Sequence, residues 1–354
     1  MRFVLTPEQL ERIVAALRAL YAGAERTLLA MVADWVRAET RSPGSVPGSF
    51  GRRAQIRAVL DRLLGQARGA AREALARAAI EGRRAAEADL PPAILRSAAP
   101  LFPRTPPQTL VHAPAGLMPS LSAMYPQLVA STDGIYRQVM REVVSQRLGG
   151  TAGRLRLAQQ VLDRAAAQGI TGYVSTKSKR RWNVVSYVEM CTRTAARVAA
   201  NDAYAALCVE HGYDIVRVTT VANCSDLCAP FQGRLLSITG RPTTAPVVAT
   251  LPEARARGFE HPNCRHALRL WTPGDGPLPE PPPVDPAAYK ATQKLRGLER
   301  RIRAQKRVRE AALDDTARRA ADARIRALQK QVRELVDETG IPRIRRREQI
   351  GVPL

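Results

Sequence analysis

The sequence predicts a mainly α-helical protein with a small α+β domain braced by a metal ion, flanked by long N-terminal and C-terminal helices. Aromatic residues make up only 5% of the 354 residues. Alanine and leucine are the most frequent apolar residues, which favours helices over sheets. Residues 213–221 (YDIVRVTTV) are β-branched and alternate, and this pattern predicts a strand. Near this strand the chain gathers three of its five cysteines and two of its four histidines, which indicates a metal site.

Residues 1–90 predict a helical hairpin. Thr6 and Gln9 form a capping box around Pro7. Apolar residues then recur every three or four positions to about residue 40, as on one face of a helix. The loop sequence RSPGSVPGSFG follows. An alanine-rich segment at about 52–88 predicts a second helix, antiparallel to the first.

The middle of the chain divides into a proline-rich segment and a mixed domain. Prolines throughout residues 91–126 exclude a long helix and predict an extended arm or linker. Residues 127–271 predict the α+β domain. Its helices are expected at about 127–148, 153–168 and 181–211, and its strands within 213–221, 233–238 and 266–271.

The C-terminal part predicts basic helices behind a stiff connection. Residues 272–288 are rich in proline and predict a rigid linker. Residues 289–354 predict basic helices and a tail, with one apolar seam near Ile302 and another near Val332. A helical hairpin and one long helix both fit this pattern. Because the seams need a partner, self-association through the terminal helices is one expectation.

Charge is strongly unbalanced. The chain has 55 Lys+Arg against 32 Asp+Glu, a net charge of +23, which predicts a polyanionic partner: nucleic acid, an acidic protein surface or a membrane. Residues 289–354 hold 19 Lys+Arg against 9 Asp+Glu. The candidate polyanion-binding residues are Arg300, Arg301, Arg303, Lys306, Arg307, Arg343, Arg345, Arg346 and Arg347. No signal peptide or membrane span is expected, so the cysteines are expected to be thiols or metal ligands in a reducing cytoplasm.

The cysteines and histidines follow a C-x3-C…H-x2-C pattern. Its members are Cys224, Cys228, His261 and Cys264. Pairs of soft ligands on two short loops suit a tetrahedral structural Zn²⁺, and His266 and Asp226 are alternative ligands. Packed thiols or a disulfide are the competing structural interpretations. A thiol nucleophile with a histidine base and an HNH-type nuclease are the catalytic alternatives, but no helix is predicted to close a ββα unit around the cluster.

Four segments carry a resemblance to a known family: YVEMCTRTAARVAANDAYAALCVEHGYDIVRVTT, CAPFQGRLLSITG, HPNCRHAL and YKATQKLRGLERRIRAQKR. They resemble the phage minor capsid protein 2 family, within the broader group of Mu-type minor head proteins. The matching features are a helix with Glu189 and Arg193-Thr194, a strand, a turn at Gln232-Gly233, the N-C-R-H box and a basic C-terminal helix. The resemblance covers about residues 172–338.

The resemblance implies a structural protein of the virion, present in few copies inside or under the head near the portal vertex. It implies synthesis in the host cytoplasm and a role in head assembly. The implied partners are the portal protein and the major capsid protein, and in some relatives the genomic DNA, with which those relatives leave the head. A zinc-braced DNA-binding protein or nuclease is the alternative function, and a structural protein without enzymatic activity is the main expectation.

Overall fold

Helices account for most of the chain in a computed structural model, which describes residues 4–92, 113–146, 150–175, 179–221, 224–275 and 286–351. This confirms the mainly α-helical class. The helices are α1 Pro7–Arg41, α2 Ser49–Asp89, α3 Ala113–Ser122, α4 Tyr125–Ser145, α5 Thr151–Gln168, α6 Val184–Glu210, α7 Leu251–Ala256, α8 Pro286–Glu310 and α9 Asp315–Thr339. Short 3-10 turns lie at Pro273–Asp275 and Arg345–Glu348.

The strands are short and form two sheets. They are β1 Thr171–Val174, β2 Arg181–Asn183, β3 Ile215–Val218, β4 Leu235–Ser237, β5 Val247–Thr250 and β6 Leu268–Leu270. Strands β1 and β2 form an antiparallel pair. The other sheet has the order β5-β4-β3-β6, with β3 antiparallel to both neighbours and β4 parallel to β5. The sequence predicted β3, β4 and β6 but neither β5 nor the β1–β2 pair.

The chain divides into two compact units, each assembled from three separate segments. The first combines Met1–Leu17, Arg68–Ser120 and Glu189–Asp285. The second combines Arg18–Ala67, Leu121–Val188 and Pro286–Leu354. These units differ from the five consecutive segments expected from the sequence, because α1, α2 and α6 each contribute residues to both units.

The first unit packs its helical segments on the four-stranded sheet. Its core includes Val14 of α1, Ala78 of α2, Tyr204 of α6 and Val216 of β3, all nearly inaccessible to solvent. The Tyr204 hydroxyl donates to Asp89 at 2.6 Å and accepts from the Leu270 amide. These bonds tie α2 and α6 to the edge strand β6, because a buried hydroxyl needs partners for its polar atoms.

The second unit contains the C-terminal helices, which form a hairpin. Asp314 caps α9 by accepting from the Ala317 amide, so the chain turns between α8 and α9 and the alternative of one long helix is wrong. The two apolar seams pack against each other around Ile302 and Val332, both fully buried. Since each seam finds its partner within the chain, the seams give no reason for self-association.

Inside each unit, α1 and α2 contact each other. Gln9 donates to Glu81 at 2.7 Å in the first unit, and the Trp35 indole donates to Gln55 at 3.2 Å in the second. Gln9 lies near the start of α1 and Glu81 near the end of α2, whereas Trp35 lies near the end of α1 and Gln55 near the start of α2. This order is the one that the predicted antiparallel hairpin requires. The capping box at the start of α1 is also present: the Thr6 hydroxyl accepts from the Gln9 amide, and the Gln9 side chain accepts from the Thr6 amide.

The proline-rich segments are only partly described. Within 91–126, residues 113–122 form α3 with Pro119 inside it, so this stretch is helical where an extended arm or linker was expected. Residues 93–112 lie outside the described residues. Most of the predicted linker 272–288 does too, and α8 already begins at Pro286. None of the described helices is long and apolar enough to cross a membrane.

Candidate functional site

The cysteine–histidine cluster lies where two loops leave the same end of the four-stranded sheet. Val218, the last residue of β3, pairs with Leu268, the first residue of β6. The first residues of the loop after β3 therefore lie beside the last residues of the loop before β6. Thr219 and Ala267 extend the pairing by exchanging two hydrogen bonds of 2.9 Å. This register brings Cys228 of one loop next to Cys264 and His266 of the other.

Three ligand atoms converge in a geometry that fits one metal ion. The sulfurs of Cys228 and Cys264 are 3.7 Å apart, and Cys264 Sγ is 3.4 Å from His266 Nδ1. In a tetrahedral zinc site the edge between two sulfurs is about 3.8 Å and that between sulfur and nitrogen about 3.6 Å, from ordinary Zn–S and Zn–N bond lengths. All three side chains are buried, and their ligand atoms lie within 4.8 Å of one another, so they offer one face of a tetrahedron.

The other predicted ligands are placed differently. Cys224 Sγ lies 3.6 Å from His266 Nε2, at the far side of the imidazole. His261 turns away, because its Nε2 lies 2.6 Å from Ser225 Oγ and its Nδ1 lies 2.9 Å from the Pro262 carbonyl. Asp226 is exposed. Of the two histidines considered, the structure thus brings His266 to the cysteines.

The thiols differ in acidity. The hydrogen bond between Cys264 and Cys228 lowers the pKa of Cys228, and His266 lowers it further. The same bond, together with burial, raises the pKa of Cys264. Burial raises the pKa of Cys224 to about 11, and the negative charges of Cys228 and Asp226 add to this effect. A thiolate is the form that binds metal, and the lowered pKa favours a thiolate at Cys228.

A buried polar network holds the loop that carries the second part of the cluster. Asn201 of α6 donates to Glu260 at 2.6 Å, and Arg255 of α7 donates to the other oxygen of Glu260 at 2.6 Å. Glu260 has a φ of 60° and Asn263 a φ of 65°, and this left-handed conformation is costly for glutamate in particular. The network keeps the strained loop in the shape that presents Cys264 and His266.

The sequence did not predict the hydrogen-bond network around Glu260. The Glu260 network joins residues distant along the chain, so no spacing could reveal it. One signal for α7 was readable: Thr250 and Glu253 form a T-x-x-E capping box, with both reciprocal hydrogen bonds present. The sequence identified Gln232 only as part of a turn, and its contact with His266 was missed: Gln232 Oε1 lies 3.0 Å from His266 Nε2.

The candidate polyanion-binding residues fall into three groups. Those exposed to solvent are Arg300, Arg301, Arg345 and Arg346. Those partly buried are Arg303, Arg343 and Arg347. Lys306 and Arg307 are buried. Lys306 donates to Gln349 at 2.6 Å, and Arg307 donates to the carbonyls of Ala166 and Ala167 at 2.9 and 2.7 Å. Both residues therefore bind groups of the protein itself.

Arg343 also serves the fold. Its guanidinium donates to both oxygens of Glu348, at 2.6 and 2.8 Å. A bidentate pair of this kind fixes the C-terminal turn more firmly than a single contact would. The exposed Lys and Arg side chains of α8, α9 and the turn after them form what we call the basic surface: Lys290, Lys294, Arg300, Arg301, Arg318, Arg319, Arg324, Arg326, Lys330, Arg333, Arg345 and Arg346.

Comparison with known proteins places this chain in a family. Curated protein sequences and solved structures give no match. The family described as phage minor capsid protein 2 matches residues 5–337, nearly the whole chain. The match includes the cysteine–histidine cluster and both C-terminal helices, and it confirms the resemblance seen in the sequence. The chain therefore belongs to the phage minor capsid protein 2 family, whose members are structural components of the phage head.

Proposed function

We propose that the protein binds polyanions inside the phage head through the basic surface, near the portal vertex, and so acts in head assembly. The observation that carries this proposal is the basic surface itself: its side chains project from two helices whose apolar faces are already paired. Exposed guanidinium groups on a fixed helical frame suit phosphate oxygens and carboxylates. Genomic DNA and an acidic face of the portal protein are the two candidate partners, and the major capsid protein is a further neighbour.

In the whole virus, the test deletes the gene for this protein and then supplies a copy in trans. Without the protein we expect fewer particles, lower DNA content or lower infectivity, and rescue by the wild-type gene. Rescue by a variant with glutamine at Arg318, Arg319, Arg324 and Arg326 should be weaker, because it removes four positive charges from the basic surface. A cryo-EM map of wild-type particles would then show whether the protein lies at the portal vertex. Normal particles in the absence of the gene would refute a role in assembly.

We also propose that a structural Zn²⁺ joins the two loops of the cluster. Cys228, Cys264 and His266 are the main ligands, supported by the 3.7 and 3.4 Å spacings and by their burial. Cys224 is the candidate for the fourth position as the remaining nearby thiol, and it would have to move from the Nε2 side of the imidazole to the Nδ1 side, where Cys264 lies. A metal bound only by the folded protein adds its binding free energy to stability, which matters for a sheet whose strands have three or four residues.

A structural role fits the cluster better than catalysis. The sulfurs of Cys228 and Cys264 are almost completely buried, whereas a nucleophile must reach its substrate. His261, the histidine that a nuclease would use as base, is held by Ser225 and the Pro262 carbonyl. Cleavage of plasmid DNA by the purified protein with Mg²⁺ or Mn²⁺, abolished in His261→Ala, would support the nuclease alternative instead.

A further inference from the structure

A cleft in the second unit concentrates positive charge beside α8. It lies between α8, the C-terminal end of α5 and the first turn of α6, and it has a volume of about 500 Å³. The polar side chains that line it include Asn183, Ser186, Arg300, Arg301, Arg303 and Arg307. Among the described residues, none that lines it is acidic. The cleft is thus a concave part of the molecule in which every ionisable group of the described lining is a guanidinium.

The inner wall of the cleft is fixed by the fold. Arg307 binds the last carbonyls of α5, and its guanidinium lies 3.9 Å from the buried carboxylate of Glu25. Glu25 in turn accepts hydrogen bonds from the Ile170 amide and from the Asn183 side chain, at 2.9 and 2.5 Å. Because Arg307 binds these carbonyls and lies close to Glu25, it shapes the cleft and its charge is partly neutralised. Arg300 and Arg301 are therefore the residues expected to attract a ligand.

The outer wall carries Arg300 and Arg301, both exposed. The positive end of the α6 dipole lies beside them: Asn183 Oδ1 accepts from the Val185 and Ser186 amides, which places the first turn of this 27-residue helix at the cleft. Anions are stabilised at such a position. The arginines and the helix end act on the same volume, so their effects add.

A neighbouring groove shows that the charge is specific to this cleft. The groove shares Gly297 and Arg301 with the cleft but is also lined by Glu334 and Glu338, which offset its basic residues. An anion that approaches α8 therefore meets a lower electrostatic energy in the cleft than in the groove, because the carboxylates that would repel it line only the groove.

We propose that this cleft binds a phosphate group of a DNA strand, held by Arg300 and Arg301. The inference rests on the proposed function and names the site and the chemistry of contact. Arginine binds phosphate oxygens in bidentate fashion. Free inorganic phosphate has the same chemistry and is the other source of such a ligand. The cleft has room for more than one phosphate group, which suits neighbouring phosphates of one DNA backbone.

Gly297 permits a test that leaves every charge in place. A Cβ at this position would meet only an Arg300 nitrogen, 4.0 Å away, and the backbone is helical. Gly297→Leu therefore adds an apolar side chain to the lining of the cleft without changing the net charge, and Gly297→Ala is its matched control. With a fluorescent 20-base-pair duplex we expect binding about tenfold weaker in Gly297→Leu and within about twofold of wild type in Gly297→Ala. Circular dichroism and thermal unfolding check that both variants fold.

A second pair of variants tests the arginines. Arg300→Gln with Arg301→Gln should weaken DNA binding at least about three times more than Arg318→Gln with Arg319→Gln, which removes the same charge from exposed positions of α9. Equal weakening in the two pairs, with Gly297→Leu unchanged, would refute the cleft and leave the basic surface as a diffuse site. Wild-type protein that binds inorganic phosphate in the cleft but no DNA would refute the DNA strand as ligand.

Discussion

Asp133 is fully buried and lies within ion-pair distance of three arginines. Its oxygens are 3.0 Å from Arg52, 3.5 Å from Arg53 and 3.1 Å from Arg137. Arg52 is itself buried and stacks on a tyrosine ring. Asp133→Asn would leave that guanidinium without a countercharge, and we expect the free energy of unfolding to fall by about 3–5 kcal/mol. Urea denaturation measures it.

The control for Asp133 is an exposed ion pair. Glu73 and Arg77 lie one turn apart on α2, and both side chains are more than half exposed. Such pairs contribute little because water screens them, so Glu73→Gln should cost less than about 0.5 kcal/mol. Similar destabilisation in the two variants would show that burial does not set the strength of the Asp133 ion pairs.

His266 and His261 give a direct test of the zinc proposal. Since His266 lies with Cys228 and Cys264 and His261 does not, His266→Ala should lose most of the zinc found by elemental analysis, while His261→Ala should keep about one ion per chain. The melting temperature should fall in His266→Ala and respond to a chelator only in proteins that hold zinc. Zinc retained in His266→Ala and absent from His261→Ala would restore the ligand set expected from the sequence.

The sequence predicted the cluster but not the choice between its histidines. His261 and His266 flank Cys264 at distances of three and two residues, so either spacing suits a metal site. The choice depends on backbone direction. The positive φ values of Glu260 and Asn263 turn the loop, and His266 enters the core just before β6. Such turns depend on tertiary contacts, and no local pattern encodes them.

At the scale of elements, the contact between α2 and α6 depends on one glycine. A Cβ at Gly82 would lie 2.1 Å from the Ala200 carbonyl oxygen. Gly82→Ala should therefore destabilise the protein by about 1–3 kcal/mol or more, because the helices would have to separate. Gly69 on the same helix is exposed and has no atom within 4 Å of such a Cβ. Gly69→Ala should raise stability by up to about 1 kcal/mol through helix propensity, so opposite signs in thermal unfolding are expected.

The turn after α9 should respond to pH through Glu348. Burial alone would raise the pKa of this carboxyl, but the hydrogen bonds and charge of Arg343, with Gln329 and Lys306, lower it below its ordinary value of 4.5. A lowered folded-state pKa stabilises the protein above pH 4.5, and this contribution disappears as the pH falls through the folded-state pKa. Glu348→Gln should be less stable than wild type at pH 7, and the difference should shrink below pH 4.5. A constant difference down to pH 3 would contradict this.

The long helices were predictable because their apolar period extends over many turns. The start of α1 at a capping box and the seams of α8 and α9 follow from local rules. Strand β2 begins where the helix at about 181–211 was expected, and β1 and β5 have four residues each without a long alternating run such as the one at 213–221 that indicates β3. Helix α3 was missed because proline content was taken to exclude helix, although a proline such as Pro119 can lie in a helix of only ten residues.

At the scale of the whole molecule, no pattern in the sequence indicated how segments combine into units. Patterns along the chain suggested a projecting basic C-terminal part. Instead α8 belongs to the second unit, where Glu310 binds Arg26 and Arg307 binds the end of α5. A chain truncated before α8 would lack part of this unit, so the role of the basic surface is better tested by substitutions in the full chain.

The net charge of +23 leads to the last prediction, which concerns DNA binding by the full chain. The basic surface offers guanidinium and ammonium groups on helix faces, and groups of this kind reach phosphates and carry no sequence information. Duplexes of equal length and unrelated sequence should bind with the same affinity within about threefold.

With six to ten neutralised phosphates, affinity should fall by about 10³–10⁵ between 50 and 200 mM salt. Glutamine at Arg318, Arg319, Arg324 and Arg326 should make the salt slope shallower by about 0.9 for each phosphate that the variant no longer neutralises. A slope unchanged in that variant would show that these four arginines do not contact phosphates, whereas a shallow wild-type slope together with one stoichiometric complex with the portal protein would identify an acidic protein as the partner instead.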